Sequence, residues 1–256
     1  MKPTTAARAA LVLALLSGTA GCGGDGEGSE LPDARGAFQV PSGTHLVITT
    51  ENGVTLRPGD GDEVAVDDRA GHRWTRRDGA DDDGDGDDDT RVLDLDCAGR
   101  DGRCPRMPRV EIPDGVSVTV TARNAGIDAA GITGALDLTT VNGDVTVTRS
   151  GADAAAVRLA TRNGSVRATA LRAGKLHAET VNGDVTLACA TAPAGVGGST
   201  VNGSVRLALP PDAPAYRVTA ATDNGSPSVG VPTTGDTDGR VIRLSTVNGD
   251  VVAARD

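Results

Sequence analysis

The stretch Leu136-Asp137-Leu138-Thr139-Thr140-Val141-Asn142-Gly143-Asp144-Val145-Thr146-Val147-Thr148 holds one complete structural unit. Apolar and polar residues alternate up to an Asn-Gly pair and alternate again after it, the period of strand, tight turn and strand. The unit recurs. Of eight asparagines, seven precede glycine: Asn52, Asn142, Asn163, Asn182, Asn202, Asn224 and Asn248. From Asn142 onward they lie 21, 19, 20, 22 and 24 residues apart. Self-similarity at this period marks a solenoid or tandem array. Two residues before each pair stands a threonine: Thr50, Thr140, Thr161, Thr180, Thr200, Thr222 and Thr246. Further steps of two reach Leu138 and Leu136, Leu159 and Val157, Ala178 and Leu176, or Leu244 and Ile242, the inner face of a strand. After the turn, Val145 and Val147, Val166 and Ala168, Val185 and Leu187, Val205 and Leu207, and Val251 and Ala253 continue it.

Asn-Gly between alternating segments is the strongest short-range hairpin signal, because a type I′ turn needs positive φ at both central residues. Alone it predicts a tandem β-hairpin array. A parallel β-solenoid explains more, since units of nearly constant length set Thr over Thr and Asn over Asn at ~4.8 Å. Buried threonine hydroxyls are then satisfied along the stack, and the amides of Asn142, Asn163, Asn182, Asn202, Asn224 and Asn248 form a turn ladder. The expected fold is all-β, a single-domain parallel solenoid, with the hairpin array as the alternative. The residues after each Asn-Gly are Asp144, Ser165, Asp184, Ser204, Ser226 and Asp250. No two successive coils both carry the acid, which avoids like charges one strand apart. Asp144 and Asp184 fall ~9.6 Å apart, too far to share one ion.

Regular coils run over 110–256. In 37–109, Leu46, Ile48, Thr50 and Asn52-Gly53 match half a coil, but Val54 and Leu56 fall on the other parity. Strand-like Glu63-Val64-Ala65-Val66 and Arg91-Val92-Leu93-Asp94-Leu95 then bracket a loop. This part reads as the irregular cap that closes a solenoid's open edge. Asn124 marks a degenerate coil that has lost its Asn-Gly.

Ahead of the domain, Lys2 and Arg8 flank the apolar run Leu11 to Leu16, and small residues follow. The run is too short to span ~30 Å of hydrocarbon and reads as a signal peptide over 1–21. Thr19-Ala20-Gly21-Cys22 resembles a bacterial lipobox, with Thr19 where leucine is usual. Either Cys22 is lipidated or the signal is simply cleaved. Residues 22–36, opening Gly23-Gly24-Asp25-Gly26-Glu27-Gly28-Ser29, form a flexible tether. Export favours a disulfide between Cys97 and Cys104. The competing metal-thiolate reading lacks a second Cys pair or a nearby His. Cys189 shares the parity of Val185 and Leu187 and reads as a small buried hydrophobe.

Asp and Glu number 35 against 25 Lys and Arg, a net charge of −10. Without residues 1–21 the charge is −12, and the eight aspartates of loop 78–89 supply −8 of it. An acidic chain without basic clusters, and with only Phe38, Trp74 and Tyr216 as aromatics, lacks the means to bind nucleic acid. Asp81-Asp82-Asp83-Gly84-Asp85-Gly86 matches the start of a D-x-D-x-D-G loop, which makes Asp81, Asp83 and Asp85 candidate calcium ligands. Val92 stands where such a loop carries its bidentate Glu, and the alternative is a solvated acidic segment. No other cofactor is indicated. His45, His72 and His177 show no metal spacing, and neither a nucleophile elbow nor a phosphate loop occurs, so no catalytic residues are expected.

Val110-Glu111-Ile112-Pro113-Asp114-Gly115-Val116-Ser117-Val118-Thr119-Val120, followed by the Thr-Val-Asn-Gly-Asp-Val units, resembles the bacterial "putative adhesin" family. This is a domain of unknown function related to the toastrack domains of envelope-stress proteins. The resemblance spans 37–256 as a pattern and is most specific from Val110 to Val251. It implies a right-handed β-solenoid displayed outside the membrane, brings no catalytic residues, and suggests adhesion. The expected function is a non-enzymatic, lipid-anchored surface protein whose solenoid serves adhesion or binds an envelope or extracellular protein or glycan. The alternatives are an accessory or sensor protein in envelope-stress signalling and a carbohydrate-active solenoid enzyme.

Overall fold

Alternation with period two produces strands and, among the described residues, no helix. The structure, a computed structural model, describes residues 38–77, 90–96, 105–235 and 239–255. These lie in one unit, Ala34–Asp256. The signal peptide, Cys22, the tether 22–36, the loop 78–89 with Asp81, Asp83 and Asp85, and the Cys97–Cys104 pair lie outside the described residues.

The strands are β1 (Phe38–Gln39), β2 (His45–Thr50), β3 (Val54–Pro58), β4 (Glu63–Val66), β5 (Gly71–Arg77), β6 (Thr90–Asp96), β7 (Arg109–Ile112), β8 (Ser117–Ala122), β9 (Ile127–Ala130) and β10 (Leu136–Thr139). They continue as β11 (Val145–Thr148), β12 (Gly151–Ala160), β13 (Val166–Glu179), β14 (Val185–Cys189), β15 (Gly195–Asn202), β16 (Val205–Leu209), β17 (Arg217–Asn224), β18 (Pro227–Val229), β19 (Val241–Asn248) and β20 (Val251–Arg255).

The strands flanking an Asn-Gly corner do not pair with each other. Leu136 of β10 faces Val118 and Val157 in parallel, and Val145 of β11 faces Ile127 and Val166. Each coil therefore contributes to two parallel sheets, and the corner turns the chain from one sheet into the other. The hairpin array is excluded for a backbone reason. The corner glycines Gly143, Gly164, Gly183, Gly203 and Gly249 stand at φ between +143° and +156°, whereas among the described residues the only non-glycine residues at positive φ are Arg149 and Ala170. A type I′ turn, which needs the asparagine there as well, is not made.

The first sheet runs β5-β6-β2-β8-β10-β12-β13-β15-β19-β17. The second runs β4-β7-β3-β9-β11-β13-β14-β16-β20-β18, with the long β13 passing through both. Pairing is parallel except at one end, where β5 and β4 close the edges antiparallel and β1 pairs β4. Stacking is not in chain order. The first coil, β2 and β3, sits between β6/β7 and β8/β9, and the last coil, β19 and β20, sits between β15/β16 and β17/β18. The last coil is thus one strand in from its end of each sheet, and the first coil two strands in from the other.

Val54 and Leu56 are fully buried despite their parity by residue count. No residue stands between Gly53 and Val54, whereas Asp144 stands between Gly143 and Val145. This shorter corner brings Val54 opposite Ile127. Asn124-Ala125-Gly126 occupies the corner of the next coil: Asn142 N donates to Arg123 O at 2.9 Å, and Thr140 Oγ1 donates to Ala125 O at 2.8 Å.

The inward residues of both sheets form one core of small aliphatics. Val218 and Ala220 on β17 are only partly buried, because that strand is the last of its sheet. The threonine column is satisfied along the stack through carbonyl oxygens. Thr161, Thr180, Thr200, Thr246 and Thr222 donate at 2.8 Å to Gly143, Gly164, Gly183, Gly203 and Gly249 of the adjoining coil. Thr180→Val keeps the shape but strands the Gly164 carbonyl, so urea unfolding is expected to show a loss of about 1–3 kcal/mol.

Cys189 is buried, and burial pushes its thiol from 9.0 up to about 12. The folded state holds this proton after the unfolded chain has released it, so the thiol's contribution to stability falls as pH rises from about 9 toward 12. Thiol labelling at pH 8 is expected to leave Cys189 unmodified in the native chain and to modify it once denaturant is added.

Candidate functional site

Two outer surfaces are built by the repeat. The first is the corner edge, where the asparagine amides form a continuous ladder. Asn163 donates to Asn142, Asn182 to Asn163, Asn202 to Asn182, Asn248 to Asn202 and Asn224 to Asn248, at 2.9 to 3.0 Å. A second ladder runs beside it. In spatial order the residues after Asn-Gly are Asp144, Ser165, Asp184, Ser204, Asp250 and Ser226, a strict alternation that chain order hides at Ser204 and Ser226. The Asp144, Asp184 and Asp250 carboxylates accept from the N–H of Ser165, Ser204 and Ser226 at 2.7 to 3.0 Å. The Ser165 and Ser204 hydroxyls accept from the N–H of Asp184 and Asp250 at 3.4 and 3.2 Å. Alternation keeps like charges two coils apart and gives each carboxylate a donor. Val141, Val181, Val201 and Val247 stand exposed between the Thr and Asn columns. The last three occupy successive coils, so this rigid polar edge carries an apolar stripe.

The second surface is an open depression of about 720 Å³ on the outer face of β12, β13, β15 and β19. Its floor is β15, whose outward positions are Gly195, Gly197 and Ser199. In register, Lys175, Gly195 and Val241 form one row, His177, Gly197 and Arg243 the next, and Glu179, Ser199 and Ser245 the third. Arg158 lies beyond His177 and binds Glu179 at 2.5 Å and Asp137 at 3.8 Å. His177 Nε2 lies 3.4 Å from the same Glu179.

Elsewhere the outer carboxylates are held by arginines: Asp144 by Arg167 at 2.9 Å, Asp184 by Arg206 at 3.7 Å and Asp153 by Arg172 at 2.5 Å. Hydrogen bonds from Arg172 and from the Thr191 hydroxyl hold the Asp153 carboxyl below the usual carboxylate range. The six ladder asparagines are thus brought together in one column, whereas His45, His72 and His177 stay apart. His45 bonds Thr119, His72 contacts the Ala70 carbonyl, and His177 is exposed beside Glu179. Among the described residues no group of three His, Cys, Asp or Glu could hold a metal. The depression escaped sequence reading because its floor is made by missing side chains. The glycines of Gly195-Val196-Gly197-Gly198, at the positions where other coils carry side chains, were its one signal.

Two parallel sheets joined by repeated Asn-Gly corners define a β-solenoid repeat domain. The chain belongs to the Toastrack DUF4097 family, whose model matches residues 113–252. Similar solved structures include a putative cell adhesion protein from Clostridium sporogenes ATCC 15579, at 8% identity and TM-score 0.41, covering 86% of this chain and 98% of that one. A putative adhesin from Bacteroides fragilis NCTC 9343 is similar at 14% identity and TM-score 0.35, covering 86% of this chain and 95% of the other. Among curated proteins none matches this chain significantly.

Proposed function

We propose that this chain is a non-enzymatic surface protein, held to the outer side of the bacterial membrane through lipidated Cys22, whose solenoid docks an envelope or extracellular partner. The observation that carries this reading is the corner edge. Its side chains are fixed in ladders before any partner arrives, and Val181, Val201 and Val247 lie exposed along it. A surface ordered in advance loses little side-chain freedom on binding, and exposed apolar residues rimmed by polar ones suit a protein contact. The non-enzymatic reading is supported by the outer carboxylates, which are engaged by arginines on neighbouring strands. Anchoring is supported by the lipobox-like Ala20-Gly21-Cys22 and the glycine-rich tether.

A photo-crosslinking residue at Val201, compared in intact cells with one at Thr186 on the second sheet, tests the reading. The expected result is a discrete adduct from position 201 alone, lost to the medium together with the protein in Cys22→Ala. Equal adducts from both positions, or none from either under several growth conditions, would contradict it.

A further inference from the structure

The depression over β15 is separate from the corner edge, and its chemistry differs. Lys175 and Arg243 face it from opposite walls, both exposed, and among the described residues neither forms an ion pair. Arg217, next to Val241 in the outer row, also has no carboxylate partner among them. Among the described residues the one carboxylate at the rim, Glu179, is already shared by Arg158 and His177. A chain with a net charge of −10 thus concentrates uncompensated positive charge around one trough, the arrangement that draws an anion to a defined place.

The shape narrows the ligand. The trough is one strand wide, so its walls on β13 and β19 stand ~9.6 Å apart, and the four residue steps from Gly195 to Ser199 give a length of ~13 Å. A Cβ built on Gly195 meets nothing within 4 Å, so the floor there is open, whereas the ring of His177 covers Gly197. Peptide groups of β15 are used in parallel ladders on both sides. An extended peptide therefore finds no strand edge to pair with. Neutral sugars bind well by stacking on Phe, Trp or Tyr rings, and none of these lies here: Phe38 stacks on Trp74 elsewhere, and Tyr216 is buried. What the trough offers is a floor left bare at Gly195, cations on both walls and the hydroxyls of Ser199 and Ser245.

We propose that this trough binds an acidic polysaccharide, a carboxylate-bearing sugar chain lying along β15 with its carboxylates on Lys175 and Arg243 and its hydroxyls toward Ser199 and Ser245. Arginine and lysine hold carboxylates through charge-assisted hydrogen bonds, and the glycine floor admits a sugar ring where a side chain would exclude it. The site is independent of the valine stripe, so failure of either reading leaves the other standing.

The test is calorimetric titration of the purified full chain with oligogalacturonate, with neutral dextran, polyglutamate and polyphosphate as comparison ligands. Saturable binding of oligogalacturonate is expected, weakening with salt, with none to dextran. Arg243→Glu and Lys175→Glu are each expected to weaken it by about tenfold or more. Arg162→Glu, the same charge change at the corner edge, is expected to leave it within about twofold. Gly195→Val alters no charge and favours the strand, so it should abolish binding with an unchanged melting temperature. Absence of saturable binding, an equal effect of the Arg162 and Arg243 reversals, or undiminished binding in Gly195→Val would overturn the proposal. Binding of polyglutamate or polyphosphate as tight as that of oligogalacturonate would overturn the assignment to a carboxylate-bearing sugar.

Discussion

Gly183→Ala destabilises the domain by about 4 kcal/mol or more, among the largest effects a single methyl group produces. Gly183 stands at φ +149°, and a Cβ there lies 2.1 Å from the Gly164 carbonyl oxygen and 2.6 Å from its carbon. The obstacle is backbone and cannot rotate away, so the coils must separate. Separation breaks the Gly164 N to Asn182 O bond of 2.9 Å, the Asn182 to Asn163 amide bond and the Thr180 to Gly164 bond together. Gly43→Ala is the comparison: φ is +89° and nothing lies within 4 Å. Only backbone strain is added there, about 1 kcal/mol. Chemical denaturation of both variants measures the difference. A loss below about 1 kcal/mol in Gly183→Ala would mean that the coils are not in van der Waals contact at the corner.

Tyr216→Ala is the second large effect, at about 3–5 kcal/mol. Tyr216 is fully buried and lies in the connection from β16 to β17, the segment that carries the chain past the place later filled by β19 and β20. Its hydroxyl donates to Pro193 O at 2.8 Å, its N–H donates to Pro232 O at 2.9 Å, and its carbonyl accepts from Thr234 N at 2.9 Å. Burial pushes its phenol upward in pKa, so the hydroxyl stays protonated as a donor. Removing the ring opens a cavity under this connection and frees β17 and β18, each of which pairs with one neighbour only. Amide exchange over 217–229 is therefore expected to accelerate most, with β10 to β14 little changed. Tyr216→Phe keeps the packing and strands the Pro193 carbonyl, for about 1–3 kcal/mol. Uniform loss of protection along the chain in Tyr216→Ala would show that the ring does not anchor this end.

Much of this architecture was legible in the sequence. Period-two alternation gave the inner faces, the Asn-Gly spacing gave the coil, and the threonine two residues earlier gave the buried hydroxyl column. Stacking order was not legible, for a physical reason. Each coil from Asn142 onward carries the same Thr, Asn and Gly at the same phase, so Asn248 fits against Asn202 as well as Asn224 would. Only the Asp/Ser position distinguishes coils, and its alternation is complete once the last coil is moved inward. Parity also misleads at Val54, because counting residues assumes a corner of constant length and the Asn52-Gly53 corner is shorter by one. β5 escaped notice because Gly71-His72-Arg73-Trp74-Thr75 carries few apolar residues. It is an antiparallel closing strand whose Trp74 stacks on Phe38, with ring centroids 4.8 Å apart. The trough over β15 was hidden for the opposite reason, being written in absent side chains.

A parallel solenoid whose last coil lies inside the stack makes neighbours of residues that chain order would separate, and cysteine trapping detects them. Asn202 is in register with Asn248, and Asn248 with Asn224. The exposed Val201 therefore neighbours Val247, and Asp223 lies one coil further on. Neighbouring parallel strands bring Cα atoms to ~4.8 Å, within disulfide range, whereas two coils span ~9.6 Å. Under mild oxidation, with the linked peptides identified by mass spectrometry, Val201→Cys/Val247→Cys is predicted to form its disulfide. Val201→Cys/Asp223→Cys is predicted not to. Crosslinking of the 201–223 pair in place of the 201–247 pair would rule out the inserted last coil and return the coils to chain order.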